Sequence, residues 1–256
     1  MFGQSADRRS TDRVNGAERA VRAPAQEWRE VYRVTFCDVE RFAQVECRSK
    51  ASPAAMYPLM PINTRTRCPM KAVRWSQRDG SGLEHLVLDE TRDGIVIESA
   101  VVGEDEACAF GLVYRIECDA RWQVTRLALK LAGGASLDLH RRDGDNGDAH
   151  AWTDANGEPL EALRGCIDVD ITATPFTNTL PIRRLKLERG ERRVIRVAYV
   201  RVPELGVSAV EQAYTCIEPD CRYRYEGLDT GFTADITVDE DGLVIDYPGL
   251  FTRIRR

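Results

Sequence analysis

From Met70 to the end of the chain, apolar residues recur at every second position. Leu86 and Leu88 alternate with His85, Val87 and Asp89, while Leu112, Tyr114, Ile116 and Cys118 alternate with Val113, Arg115, Glu117 and Asp119. The pattern returns at Leu127/Leu129/Leu131, Leu137/Leu139, Ile167/Val169/Ile171, Tyr223/Tyr225 and Ala234/Ile236/Val238. No helical repeat of ten residues or more interrupts it. A two-residue period puts one set of side chains on one face of an extended strand, so each segment has a single side to bury. Turn-forming pairs separate the runs: Asp93-Gly94, Gly133-Gly134, Asp143-Gly144, Asn156-Gly157, Arg189-Gly190 and Asp241-Gly242. Short connections make most pairings antiparallel. About a dozen strands in so short a stretch must close into a barrel or roll, or split into a sandwich.

The first 69 residues differ in kind. They carry 12 Lys and Arg against 8 Asp and Glu, whereas the remainder carries 24 against 33. Residues 1–25 are polar and aperiodic, which predicts disorder. Trp28, Val31, Tyr32, Thr35, Phe36, Val39, Phe42 and Ala43 mark a short helical stripe over 28–43, and Val31–Phe36 alone also reads as a strand. Four prolines then break the stretch before Met70. The expected organisation is an N-terminal extension over 1–69 and one β domain over 70–256.

Composition narrows the partners. A net charge of -5 leaves no basic surplus for phosphates, so nucleic acid is not an expected partner. No run approaches a membrane span of ~18 apolar residues, and the first residues lack an apolar signal core. A cytoplasmic location is the expectation. None of the eight cysteines forms a CxxC pair, so structural free thiols are expected, with Cys216 and Cys221 the pair closest in sequence.

The stretch most suggestive of chemistry is GCIDVDITATPFTNTLPIRRL, residues 165–185. In an extended strand Asp168, Asp170 and Thr172 share one face, the two carboxylates ~7 Å apart. Thr177 and Asn178 follow, then Arg183 and Arg184 after Pro181. Carboxylates, hydroxyls and guanidinium groups brought together suit a polyhydroxylated or phosphorylated head group; the alternative is a solvated strand face and a Pro-kinked loop. Asp168 and Asp170 could also form a general acid/base pair, although glycosidase carboxyls flank a bond from opposite sides and these lie side by side. If the face is interior, Arg183 or Arg184 is the expected partner for the two acids.

Other patterns fail. His85, His140 and His150 are too scattered for a metal site, and the acidic run at 143–148 lacks the ligand spacing of a calcium loop. No phosphate loop and no Gly-x-Ser-x-Gly elbow is present. No cofactor is therefore expected. Aromatic residues, Trp122 and Tyr214 among them, lie in or beside strand-like runs, as in a barrel whose cavity is lined by amphipathic rings. Arg196 between Val194 and Ala198 points the same way, to a partly wet interior.

MKAVRWSQRDGSGLEHLVL, LVYRIECDARW, GCIDVDITATPFTNTLPIRRL and DGLVIDYPGLFTRI together resemble the bacterial family described as "putative glycolipid-binding", formerly a domain of unknown function. The resemblance runs from about Met70 to the C-terminus. It implies a spiral, many-stranded antiparallel β-roll, or half-open barrel, similar to envelope carriers that hold acyl chains. It also implies non-catalytic binding of an amphiphile, with a head group near Asp168, Asp170, Thr172, Thr177, Asn178, Arg183 and Arg184 and with Trp122 and Tyr214 as further contacts. An enzyme acting on a sugar-containing molecule through Asp168 and Asp170, and a scaffold without a ligand, are the competing classes. Family members begin near the equivalent of Met70, so 1–69 reads as an addition, or as a translation start placed too early.

Overall fold

The computed structural model describes residues 70–105, 108–142 and 151–254. The extension, the helix expected over 28–43, the acidic run at 143–148, His150 and the first three cysteines lie outside the described residues. The alternating pattern becomes fourteen strands. The first seven are β1 (Lys71–Gln77), β2 (Leu83–Glu90), β3 (Ile95–Glu104), β4 (Ala109–Cys118), β5 (Val124–Leu131), β6 (Ser136–Arg142) and β7 (Ala151–Thr153). After β8 (Asp168–Ile171) and one short helix, α1 (Thr179–Leu185), come β9 (Arg192–Arg201), β10 (Gly206–Glu218) and β11 (Arg222–Gly227). The last are β12 (Phe232–Val238), β13 (Val244–Tyr247) and β14 (Phe251–Arg253).

All belong to one sheet, ordered β7-β6-β5-β4-β3-β2-β1-β14-β13-β12-β11-β10-β9-β8. Two meanders are joined where β14 pairs with β1, Trp75 opposite Arg253. Every neighbouring pair is antiparallel except β8 and β9, which run parallel, Asp168 opposite Val197. A parallel pair needs a crossover, and α1 with its flanking turns supplies it. So wide a twisted sheet curls on itself. The roll stays open: β7 and β8 are its edges and share no ladder. They are linked instead through the connector, where the Trp152 indole donates to the carbonyl of Cys166 (2.9 Å) and Arg196 reaches the carbonyl of Ala162 (3.0 Å).

The inward faces hold the core. Trp75, Leu86, Ile97, Ile116, Leu127 and Leu139 pack in the first half; Tyr214, Ile236, Val244 and Phe251 lead a second cluster. Residues 171–182 pass along the concave side between the halves, every one buried except Thr172. Pro181 is tolerated because it sits in the first turn of α1, where no intrahelical N–H bond is required. Lys186 ends the helix in the left-handed region (φ 49°). Gly242 (φ 74°) lets the β12–β13 turn approach this helix. Its carbonyl accepts from the Thr179 hydroxyl at 2.9 Å, and a Cβ there would sit 3.2 Å from Arg183. The five described cysteines, Cys216 and Cys221 included, are free thiols. Among the described residues no helix is long and apolar enough to cross a membrane.

Candidate functional site

The solvated-face alternative for 165–185 fails at Asp168, which is buried; on the same face Asp170 is half-buried and Thr172 exposed. Asp168 has no exposed surface and accepts a fork from Arg184: Nε to Oδ1 at 3.0 Å, Nε to Oδ2 at 3.2 Å and Nη2 to Oδ2 at 2.5 Å. Burial pushes its carboxyl up, and the guanidinium opposes that rise. The expected arginine partner exists for Asp168 alone. Asp170, two residues on, is held by neutral donors: Thr177 Oγ1 at 2.8 Å and Gln212 Nε2 at 2.5 Å. The reason is the winding of α1, which carries Arg184 back over the start of β8 while Thr177 and β10 cover its end. Burial raises the Asp170 carboxyl as well, with Gln212 and Thr177 pulling the other way.

Asp170 faces a cavity of about 390 Å³ between the crossover segment and strands β10 to β14, within the ~300–1,000 Å³ usual for ligand pockets. Its lining is mixed. β8, the crossover segment and β10 contribute Asp170, Thr174, Asn178 and Gln212, and β11 to β14 contribute Tyr225, Phe232, Tyr247 and Phe251, with Asp229 and Thr230 in the turn between Tyr225 and Phe232. The rings form one chain, with centroids 6.1 Å apart for Tyr225–Phe232 and Tyr225–Tyr247 and 6.4 Å for Tyr247–Phe251. Leu250 and Phe232 stand exposed at the rim.

The residues expected to form a site are therefore divided. Asp170, Thr172 and Asn178 border the cavity. Thr177 and Tyr214 stand behind it, Thr177 bonded to Asp170 and the Tyr214 hydroxyl donating to Asn178 Oδ1 at 2.9 Å. Asp168 and Arg184 are closed on each other. Arg183 lies over the Trp122 ring, 4.7 Å from its centroid, and reaches Glu90 at 3.2 Å. That pair borders a separate, more polar depression of about 620 Å³. Arg196 is exposed, so the polar groups of the interior come from other residues.

One of those is Glu84, which sequence reasoning missed. It is 3% exposed; Oε1 accepts from Tyr114 (2.6 Å) and Ser99 (2.7 Å), and Oε2 accepts from Thr174 (2.7 Å). Burial pushes its carboxyl up to about 7, against the pull of the three hydroxyls. Thr174 thus ties this acid to the cavity wall. The signal was available: Glu84 shares its strand register with inward-facing Leu86 and Leu88. Gln212 is likewise in register with Tyr214 and Cys216.

The family described as "Putative glycolipid-binding" matches residues 72–253. The crystal structure of a DUF1089 family protein from Pseudomonas aeruginosa is similar, with a TM-score of 0.59 and 36% identity over 78% of this chain and 100% of that chain. No curated protein matches.

Proposed function

The chain belongs to the family described as "Putative glycolipid-binding", and from that premise we propose that the 390 Å³ cavity binds an amphiphile without transforming it. The observation that carries this reading is a cavity that combines polar groups from β8, the crossover and β10 with a chain of aromatic rings from β11 to β14. A head group bearing hydroxyls finds donors and acceptors at Asn178, Gln212 and Asp170, and an apolar tail finds the rings of Tyr225, Phe232, Tyr247 and Phe251. The polar groups are preorganised, since Thr177 and Gln212 hold Asp170 and Tyr214 holds Asn178 before any ligand arrives. Acid–base chemistry through Asp168 and Asp170 would need both carboxyls to reach the substrate, and only Asp170 borders the cavity.

Calorimetric titration of the full chain with octyl β-glucoside, kept below its micelle concentration, tests this. Saturable binding is expected, weakened at least about tenfold by Val210→Trp, which fills the lined space. Absence of binding to the wild type, or equal binding to the filled variant with its fold intact by circular dichroism, would refute the reading.

A further inference from the structure

The charge distribution around the same cavity identifies the chemistry of the head group, an inference that rests on the amphiphile reading above. The residues bordering the cavity include three acids, Asp170, Glu211 and Asp229, and no Lys, Arg or His. The two arginines nearest in sequence are committed elsewhere, Arg184 to Asp168 and Arg183 to Glu90 and the Trp122 ring. Asp170 makes no ion pair among the described residues; its partners are a hydroxyl and an amide. A carboxylate accepts about four hydrogen bonds, so two acceptor sites remain beyond Thr177 and Gln212. Half-buried and with neutral partners alone, it lacks a countercharge to offset its partial desolvation.

The aromatic rings favour the same kind of ligand. Tyr225, Phe232, Tyr247 and Phe251 cluster at centroid spacings of 6.1–6.4 Å, and the negative faces of such rings attract a cation. Burial first and the charge of Asp170 next raise the hydroxyls of Tyr199 and Tyr225, while Arg201, which does not border the cavity, pulls Tyr199 the other way. An anionic head group would meet Asp170, Glu211, Asp229 and the aromatic rings, with no Lys, Arg or His among the residues that border the cavity.

We propose that the head group taken by this cavity carries an ammonium group, as an amino sugar does, and that phosphorylated or sulfated head groups are rejected. Asn178 and Gln212 then serve the sugar hydroxyls while Asp170 supplies the countercharge.

The test compares three octyl amphiphiles on the full chain near pH 6.5: octyl β-glucoside, the same glucoside with an amine at C2, and octyl phosphate, each below its micelle concentration. The amine should bind at least about tenfold tighter than its parent, by a charge-assisted bond and cation–π attraction together, and the phosphate should not bind measurably. Asp170→Asn should erase the advantage of the amine. Lowering the pH of the wild type to ~4 should shrink it as well, because burial raises the Asp170 carboxyl so that it takes up its proton at a higher pH than an ordinary carboxylate, and this arm needs no variant to fold. Equal affinity for the two glucosides, phosphate binding as tight as either, or an advantage indifferent both to pH and to Asp170→Asn would overturn the inference while leaving the amphiphile reading standing. Failure of all three to bind would remove both.

Discussion

Replacing Arg184 with Met tests how the crossover is held to the sheet. Asp168 is wholly enclosed, Arg184 is 14% exposed, and three N–H···O contacts join them. Without the guanidinium the carboxylate must either stay charged in the interior or take a proton. Protonation sets the ceiling: an Asp of ordinary pKa ~3.9 at pH 7 pays ~4 kcal/mol for it. Burial already raises this carboxyl in the wild type, with Arg184 opposing, so the variant loses only the opposing part. A destabilisation of about 3 kcal/mol at pH 7 is expected, the low end for a broken buried pair. The sign with pH follows. A carboxyl whose folded pKa lies above its unfolded one adds stability below the unfolded value and loses it as pH rises through the folded value. The deficit of Arg184→Met should therefore grow from about 1 kcal/mol at pH 4, the lost packing alone, to its full size at pH 7. Urea melts at pH 4, 5.5 and 7, followed by tryptophan fluorescence, measure this. Adding Asp168→Asn should recover at least half of the loss at pH 7, and Arg183→Met, which breaks a partly exposed pair and a ring contact, should cost only about 1 kcal/mol. A loss below 1 kcal/mol for Arg184→Met at pH 7, a deficit independent of pH, or no recovery in the double variant would refute the reasoning.

Two further outcomes are expected. With its carboxyl raised from 4.5 to about 7, Glu84 contributes stability that is full below pH 4.5 and lost as pH rises through 7, so between pH 5 and 8 the wild type should lose about 2–3 kcal/mol relative to Glu84→Gln; parallel stability profiles for the two proteins would contradict it. Tyr214→Phe leaves Asn178 Oδ1 without its donor and should cost about 1–3 kcal/mol in a denaturant melt, while weakening octyl glucoside binding because Asn178 is no longer oriented.

The all-β architecture was legible because each strand carries its own period, and the burial of Leu112, Tyr114, Ile116 and Cys118 follows that period residue by residue. The crossover was not legible. Pro175 and Pro181 read as a loop, yet seven residues wind into α1 because the concave surface offers Thr179 a carbonyl at Gly242 and Asn178 a hydroxyl at Tyr214, partners more than thirty positions away. The same long-range closure divided the expected site. Asp168 and Asp170 share a strand face, as alternation requires, but which acid meets a cation depends on how far α1 turns back, and local pattern does not contain that distance. Glu84 stood in plain register with two leucines; the hydroxyls that make it tolerable come from β3, β4 and the crossover.

The edges of the open roll bear on self-association. An unpaired strand edge can recruit strands from other copies and template a growing fibre. Here β7 has three residues and β8 four, too few for a lasting foreign ladder. The connector beside them also occupies backbone groups that an incoming strand would need: the Leu160 amide bonds the Trp152 carbonyl at 2.8 Å, and Thr153 bridges to Pro159, which has no N–H to offer. A fourteen-stranded sheet is thereby left with two blunted ends, and it can keep its concave side open to a ligand without inviting end-to-end stacking.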